Sequence, residues 1–267
     1  LTGLGLVLLV YGGLLGWLYL NEHRLVYFPE GGPVAIPHDL PAEAVRFPAA
    51  DGVRLSAWLL VPQADTARWI LVLHGNAGNL ASPGRPEHDR QLLRLGLGVL
   101  ALDYRGYGES DGTPSEAGLY TDARSAYDYL REVRGIPAER IILYGHSLGS
   151  AVAIELATRV PSAGLIVEGA FTSVPDRGGE LYPYFPVGLI ARNRFPSLAR
   201  IGGIRVPLLV IHGRDDSTIP IAHGRRIFAA APEPKSFLEV PGGHDDAFEI
   251  GAGEYEEGIR RFLATMR

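Results

Sequence analysis

No cysteine occurs among the 267 residues, which excludes disulfides, thiolate metal centres and a cysteine nucleophile. Lysine is almost as scarce: Lys235 stands alone beside 24 arginines. Histidines and carboxylates do not cluster at metal-ligand spacing, and no glycine-rich segment carries a phosphate-loop lysine, so neither a metal nor a cofactor is expected. With a net charge of -5 there is no basic footprint, and nucleic acid is not an expected partner. Internal repeats and low-complexity segments are also lacking. What remains is a chain of one-domain length, 46% hydrophobic, able to bury roughly three quarters of its unfolded surface.

The segment Ile141-Ile142-Leu143-Tyr144-Gly145-His146-Ser147-Leu148-Gly149-Ser150-Ala151 reads as a buried strand turning sharply into a helix with a serine at the corner. A bare G-x-S-x-G match is weak in a chain with 34 glycines, so its flanks carry the inference. An apolar, β-branched run precedes it, and small and aliphatic residues at helical spacing follow it as far as the stop at Pro161. Ser147 would then project its hydroxyl above the sheet.

A serine hydroxyl needs a base, and the base needs an orienting carboxylate; after such an elbow the chain order is Ser, acid, His. Val206 to Ile211 reads as a strand, followed by Asp215 and Asp216, either of which reaches across a loop. The short strand Ser236 to Val240 leads into Pro241-Gly242-Gly243-His244, and His244 is the histidine placed to act as base. His74 and His212 end apolar strands and read as structural, and His146 sits in the elbow pointing elsewhere. His23, His38, His88 and His223 read as surface or loop residues.

Three further blocks make a resemblance specific: His74-Gly75-Asn76-Ala77-Gly78-Asn79, Asp103-Tyr104-Arg105-Gly106-Tyr107-Gly108-Glu109-Ser110, and His212-Gly213 with Asp216-Ser217-Thr218-Ile219-Pro220. From about residue 20 to its end the chain resembles membrane-anchored serine hydrolases of the α/β-hydrolase superfamily related to the bud-emergence and ABHD proteins. The resemblance implies that Asp216, four residues past His212, is the acid. It also implies carboxylesterase, lipase-like or acyl-thioesterase activity. Backbone N–H groups aimed at a developing oxyanion can contribute a few kcal/mol. One donor should be Leu148, and the other Asn76, with Ala77 the alternative. Asp103 to Ser110 reads as structural.

Leu1 to Leu20 carries no charge and is long enough to cross a bilayer core of about 30 Å. Trp17 and Tyr19 sit where a headgroup-level belt would place them, and no small-residue cleavage site follows. Residues 1–22 are therefore expected to form an uncleaved single-pass membrane anchor, and residues 23–267 a hydrolase domain.

Periodicity organises the rest. Ala44 to Phe47 and Val53 to Val61 form a hairpin about Asp51-Gly52; further strands are expected at Trp69 to Leu73, Val99 to Asp103, Arg140 to Tyr144 and Leu165 to Glu168, besides the two already placed. Helices are expected near Glu87 to Leu95, from Pro114 to Val133 with Thr113 as cap, after Ser147, near Ile221 to Ala230 and from Phe248. This alternation means an α/β fold, a mostly parallel eight-stranded sheet covered by helices on both faces. About residues 171–200 the alternation breaks into a proline- and aromatic-rich stretch that reads as a small cap, whose Phe171, Tyr182, Tyr184 and Phe185 would line an apolar acyl pocket. The expected chemistry is ester hydrolysis through an acyl-enzyme on Ser147, acting on a small acyl ester or lipid-like substrate. Alternatives are an acyl-thioesterase, a deacylase of lipids or acyl-proteins at the membrane, and a non-catalytic membrane-tethered interaction protein.

Overall fold

A computed structural model describes residues 3–63 and 67–266, so Leu1 and Thr2 of the expected anchor lie outside the described residues. The polypeptide opens with helix α1, Gly3–Val26, which continues through the polar flank at Asn21 to Arg24. At 1.5 Å per residue, α1 is about 36 Å long, enough to cross a membrane.

Eight strands then build one sheet: β1 (Ala42–Pro48), β2 (Arg54–Leu60), β3 (Trp69–Leu73), β4 (Gly98–Asp103), β5 (Ile141–His146), β6 (Gly164–Glu168), β7 (Leu208–Gly213) and β8 (Lys235–Val240). Their spatial order is β8-β7-β6-β5-β3-β4-β2-β1. Strand β2 runs antiparallel to both β1 and β4, and every other pairing is parallel. Strands β3 to β7 read as unbroken apolar runs because both of their faces are covered. Alternate residues serve opposite faces: Leu71 and Leu143 join one core, Ile70 and Ile142 the other.

Between the strands lie α2 (Arg85–Arg94), α3 (Glu116–Asp128), α4 (Leu148–Ala157), α5 (Val174–Leu181) and α6 (Ile221–Ala230), and after the last of them α7 (Ala252–Thr265). Leu119, Val152 and Ile227 place α3, α4 and α6 on one face; Leu92 and Ile259 place α2 and α7 on the other. Helix α3 is capped by Ser115, whose hydroxyl accepts from the N–H of Gly118 at 3.1 Å, and not by Thr113. A residue before proline is biased towards extended backbone, which disfavours Thr113 as part of the first turn and moves the cap past Pro114. The expected cap segment comprises α5 and the short turns Val187–Ile190 and Ser197–Arg200.

Candidate active site

Ser147 sits between β5 and α4 with φ +53° and ψ −118°, a strained backbone for a residue with a side chain. Two glycines permit that corner. A Cβ on Gly145 would stand 2.1 Å from the carbonyl oxygen of Gly149, and one on Gly149 1.9 Å from that of Leu73. The turn is thus pressed onto α4 on one side and β3 on the other, which holds the serine at the carboxyl edge of the sheet.

Three loops at that edge converge. The Ser147 hydroxyl lies 2.8 Å from Nε2 of His244, whose Nδ1–H donates to Oδ2 of Asp216 at 2.7 Å. Asp216 is nearly buried, and its other oxygen accepts the N–H groups of Thr218 at 2.9 Å and Ile219 at 2.7 Å. Burial alone would raise the Asp216 pKa; hydrogen bonding from His212, His244 and Ile219 outweighs it and holds the carboxyl well below its usual range. For His244, burial favours the neutral ring, but the bond to Asp216 and the charges of Asp216, Asp245 and Glu168 prevail and raise its pKa above the ordinary 6.5. Asp215 is exposed and turned away.

Leu148 opens α4, so its N–H has no acceptor one turn earlier in the helix. The N–H of Asn76 belongs to the Gly75–Asn76 peptide, whose carbonyl accepts from Nδ1 of His74 at 2.7 Å. Because a trans peptide points its C=O and N–H in opposite directions, His74 aims the Asn76 N–H away from itself. Next along the chain, the Asn76 carbonyl is held by the N–H of Phe28 at 2.8 Å and the hydroxyl of Tyr107 at 2.7 Å. Asn76, Ser147 and Leu148 line one cavity of about 260 Å³, and Ala77 lies outside it.

That cavity is also lined by Phe171 and Tyr182. Tyr184 and Phe185 do not reach it. Tyr184 is 85% exposed and Phe185 stacks on Tyr11 of α1, because the prolines at 183 and 186 swing this stretch over the helix. The opposite wall is α1 itself, through Leu18, Glu22, Leu25 and Val26.

Several supporting residues have no local signature. His146 donates Nε2–H to the carbonyl of His244 at 2.8 Å, fixing the loop that carries His244, and burial followed by the charge of His244 lowers its own pKa. His212 donates to the carbonyl of Ile219 at 2.8 Å and lies 3.4 Å from Asp216, so it shapes the loop that carries Asp216. His88 and His223, read from sequence as surface or loop residues, are both buried. His88 meets the Tyr255 hydroxyl at 2.9 Å, and burial pushes its pKa down to about 4. His223 joins α6 to the cap through Thr172 and Glu180, both at 3.0 Å. His146, His244 and Asp245 bring potential ligand atoms within 4.8 Å of one another, but both ring nitrogens of His244 already face Ser147 and Asp216, so a metal there would compete with that chain.

A family profile described as the α/β hydrolase fold matches residues 68–201. An uncharacterised Mycobacterium tuberculosis protein is 39% identical over 262 residues, covering 97% of this chain and 92% of the relative. The α/β hydrolase domain-containing protein WAV2 of Arabidopsis thaliana is 33% identical over 271 residues, covering 91% and 87% respectively. Among solved structures, an esterase of Pyrococcus furiosus superposes with a TM-score of 0.75 at 20% identity, over 90% of this chain and 98% of that one. Est1E of Butyrivibrio proteoclasticus, solved with ferulic acid bound, gives 0.70 at 20% identity, over 84% and 99%.

Proposed function

The chain belongs to the α/β-hydrolase family, and from that premise we propose that it is a membrane-anchored serine hydrolase that cleaves carboxylic esters. The observation that carries this reading is the continuous hydrogen-bonded chain from Asp216 through His244 to Ser147, ending in the wall of an apolar cavity. In the proposed reaction His244 takes the hydroxyl proton as Ser147 Oγ attacks the ester carbonyl. Asp216 fixes the ring with its proton on Nδ1 and stabilises the cation formed when Nε2 is protonated. Negative charge passes to the former carbonyl oxygen, which the N–H groups of Leu148 and Asn76 receive. Collapse expels the alcohol, protonated by His244, and leaves an acyl group on Ser147. Water, deprotonated by His244, then releases the acid and restores the serine.

Residues 1–22 serve in this reading as the anchor and residues 23–267 as the hydrolase body. The apolar length of α1, with none of its apolar window buried, supports that division. The cavity walls favour an acyl chain, and the same chemistry extends to thioesters. The test is the hydrolysis of p-nitrophenyl esters from acetate to palmitate in detergent, with Ser147→Ala as blank. Turnover that depends on Ser147 supports the assignment; equal rates in enzyme and variant would leave a non-catalytic interaction protein as the better reading.

A further inference from the structure

Helix α1 is a wall of the acyl cavity as well as an apolar rod. Its Leu18, Glu22 and Leu25 line that cavity, and with Tyr11 and Leu15 they follow the alternating four- and three-residue spacing of a single helix face. The cap is clamped to this face at two levels. Glu22, only 7% exposed, accepts the N–H groups of Arg192 and Asn193, both at 2.8 Å, and pairs with the Arg192 guanidinium at 3.1 Å. Three turns away, the Tyr11 hydroxyl donates to the carbonyl of Tyr184 at 2.8 Å, and its ring stacks on Phe185 at 5.6 Å.

The surface this pair presents is apolar and continuous. An 18-residue window of α1 has a mean hydropathy of 1.8 with none of it buried. Beside it the cap exposes Leu181 at 56%, Tyr184 at 85% and Leu189 at 84%. Monomeric soluble proteins rarely expose a large apolar patch, and one that does marks a surface for a partner, a ligand or a membrane. Much of the cap backbone suits an apolar solvent as well: the N–H groups of Tyr182, Phe185, Val187, Leu189 and Ile190 donate to carbonyls within the cap and the prolines at 183 and 186 have none to satisfy, while those of Tyr184 and Gly188 meet no backbone carbonyl among the described residues. With Trp17 and Tyr19 at headgroup level, Tyr11 and the cap residues touching it lie about 10 Å further into the hydrocarbon, the depth that interfacial segments reach.

We propose that the cap tip, residues 181–190, is inserted into the bilayer beside α1, and that the cavity opens between them into the leaflet. The substrate is then a membrane-resident ester with a single acyl chain, which reaches Ser147 sideways without crossing water. The substrate part of this inference rests on the reading of Ser147 as an ester-cleaving nucleophile; the insertion of the cap does not.

The lack of cysteine makes one experiment clean, because Leu189→Cys is a unique labelling site. A nitroxide placed there, in the full chain reconstituted into phosphatidylcholine vesicles, should be relaxed by oxygen and shielded from a water-soluble nickel chelate, as Leu14→Cys should be. Val133→Cys, on the exposed far side, should show the reverse. A Leu189 label as open to nickel as Val133 would overturn the insertion, and shielding from both reagents would overturn it in favour of a second copy of the chain. In parallel, Tyr184→Asp with Leu189→Asp should slow p-nitrophenyl palmitate hydrolysis in vesicles about tenfold and leave p-nitrophenyl acetate in water within about twofold. An unchanged palmitate rate, or an equal fall in both, would overturn access from the leaflet. Wild-type protein without Ser147-dependent turnover of either ester would instead defeat the underlying assignment, and the label would still report the insertion.

Discussion

Asp216→Asn isolates what the acid does, because the structure dictates how an amide would sit there. Oδ1 accepts two backbone N–H groups, from Thr218 and Ile219, so the asparagine carbonyl must take that place. Its NH2 group then occupies the position of Oδ2, 2.7 Å from His244 Nδ1, where it can only donate. His244 must answer with a lone pair on Nδ1 and carry its proton on Nε2, facing Ser147. That ring cannot accept the serine proton. The expected loss in kcat/KM is about 10⁴-fold, or roughly 5.5 kcal/mol of transition-state stabilisation. The fold should survive, since both backbone bonds are kept. The assay is p-nitrophenyl butyrate hydrolysis, with circular dichroism as the check on folding and Asp215→Asn as control. Asp215 is exposed, and its variant should stay within about twofold. A loss under tenfold in Asp216→Asn, or a larger one in Asp215→Asn, would refute the reasoning.

The remaining expectations concern the base, the oxyanion site, the elbow and a buried carboxyl. His244 must be neutral to accept a proton and its pKa is raised, so kcat/KM should climb with pH through a limb above 6.5; a limb below 6.5, or a flat profile from pH 5 to 8, would count against His244 as the base. His74→Ala releases the Gly75 carbonyl and should lower kcat by about 10- to 100-fold with little change in KM, read from ester kinetics; a change in KM alone would assign His74 to substrate binding. Gly149→Ala would drive a methyl group to 1.9 Å from the Leu73 carbonyl, so soluble yield and Tm should fall even though no reacting atom changes. Asp89 is buried and its pKa is pushed up to about 7, which means the fold binds a proton the unfolded chain releases near 3.8. Stability from this group is full below 3.8 and lost as pH rises to about 7, with a ceiling of ~4 kcal/mol at about 1.4 kcal/mol per pH unit. Asp89→Asn should therefore raise Tm at pH 8 and leave it nearly unchanged at pH 4, by thermal denaturation.

The strands, the helix order and the candidate nucleophile and base were legible along the chain because each has a local signature. An apolar run, a glycine-flanked serine and a glycine-softened histidine loop each fit within about a dozen residues, where periodicity and backbone chemistry act directly. Asp216 was only half legible: two adjacent aspartates are equivalent to propensity, and the resemblance in the sequence singled one out before the geometry turned Asp215 to solvent. His223 and His88 looked like surface residues because a polar residue in a helix betrays its burial only through a partner far along the chain, such as Tyr255, 167 residues away from His88.

Glu22 shows the division most plainly. By itself it ends an apolar run, as a charge at a membrane boundary does; folded, it receives N–H groups from residues 170 and 171 positions further on and becomes the pin between helix and cap. Tyr184 and Phe185 went the other way, from expected pocket wall to outer contact with α1. Local sequence thus determined the elements and the candidate site residues, whose backbone requirements are satisfied within a turn or a strand. Tertiary structure alone decided that α1 walls the cavity and which aromatics face it, because those outcomes depend on packing between segments whose sequences are independent.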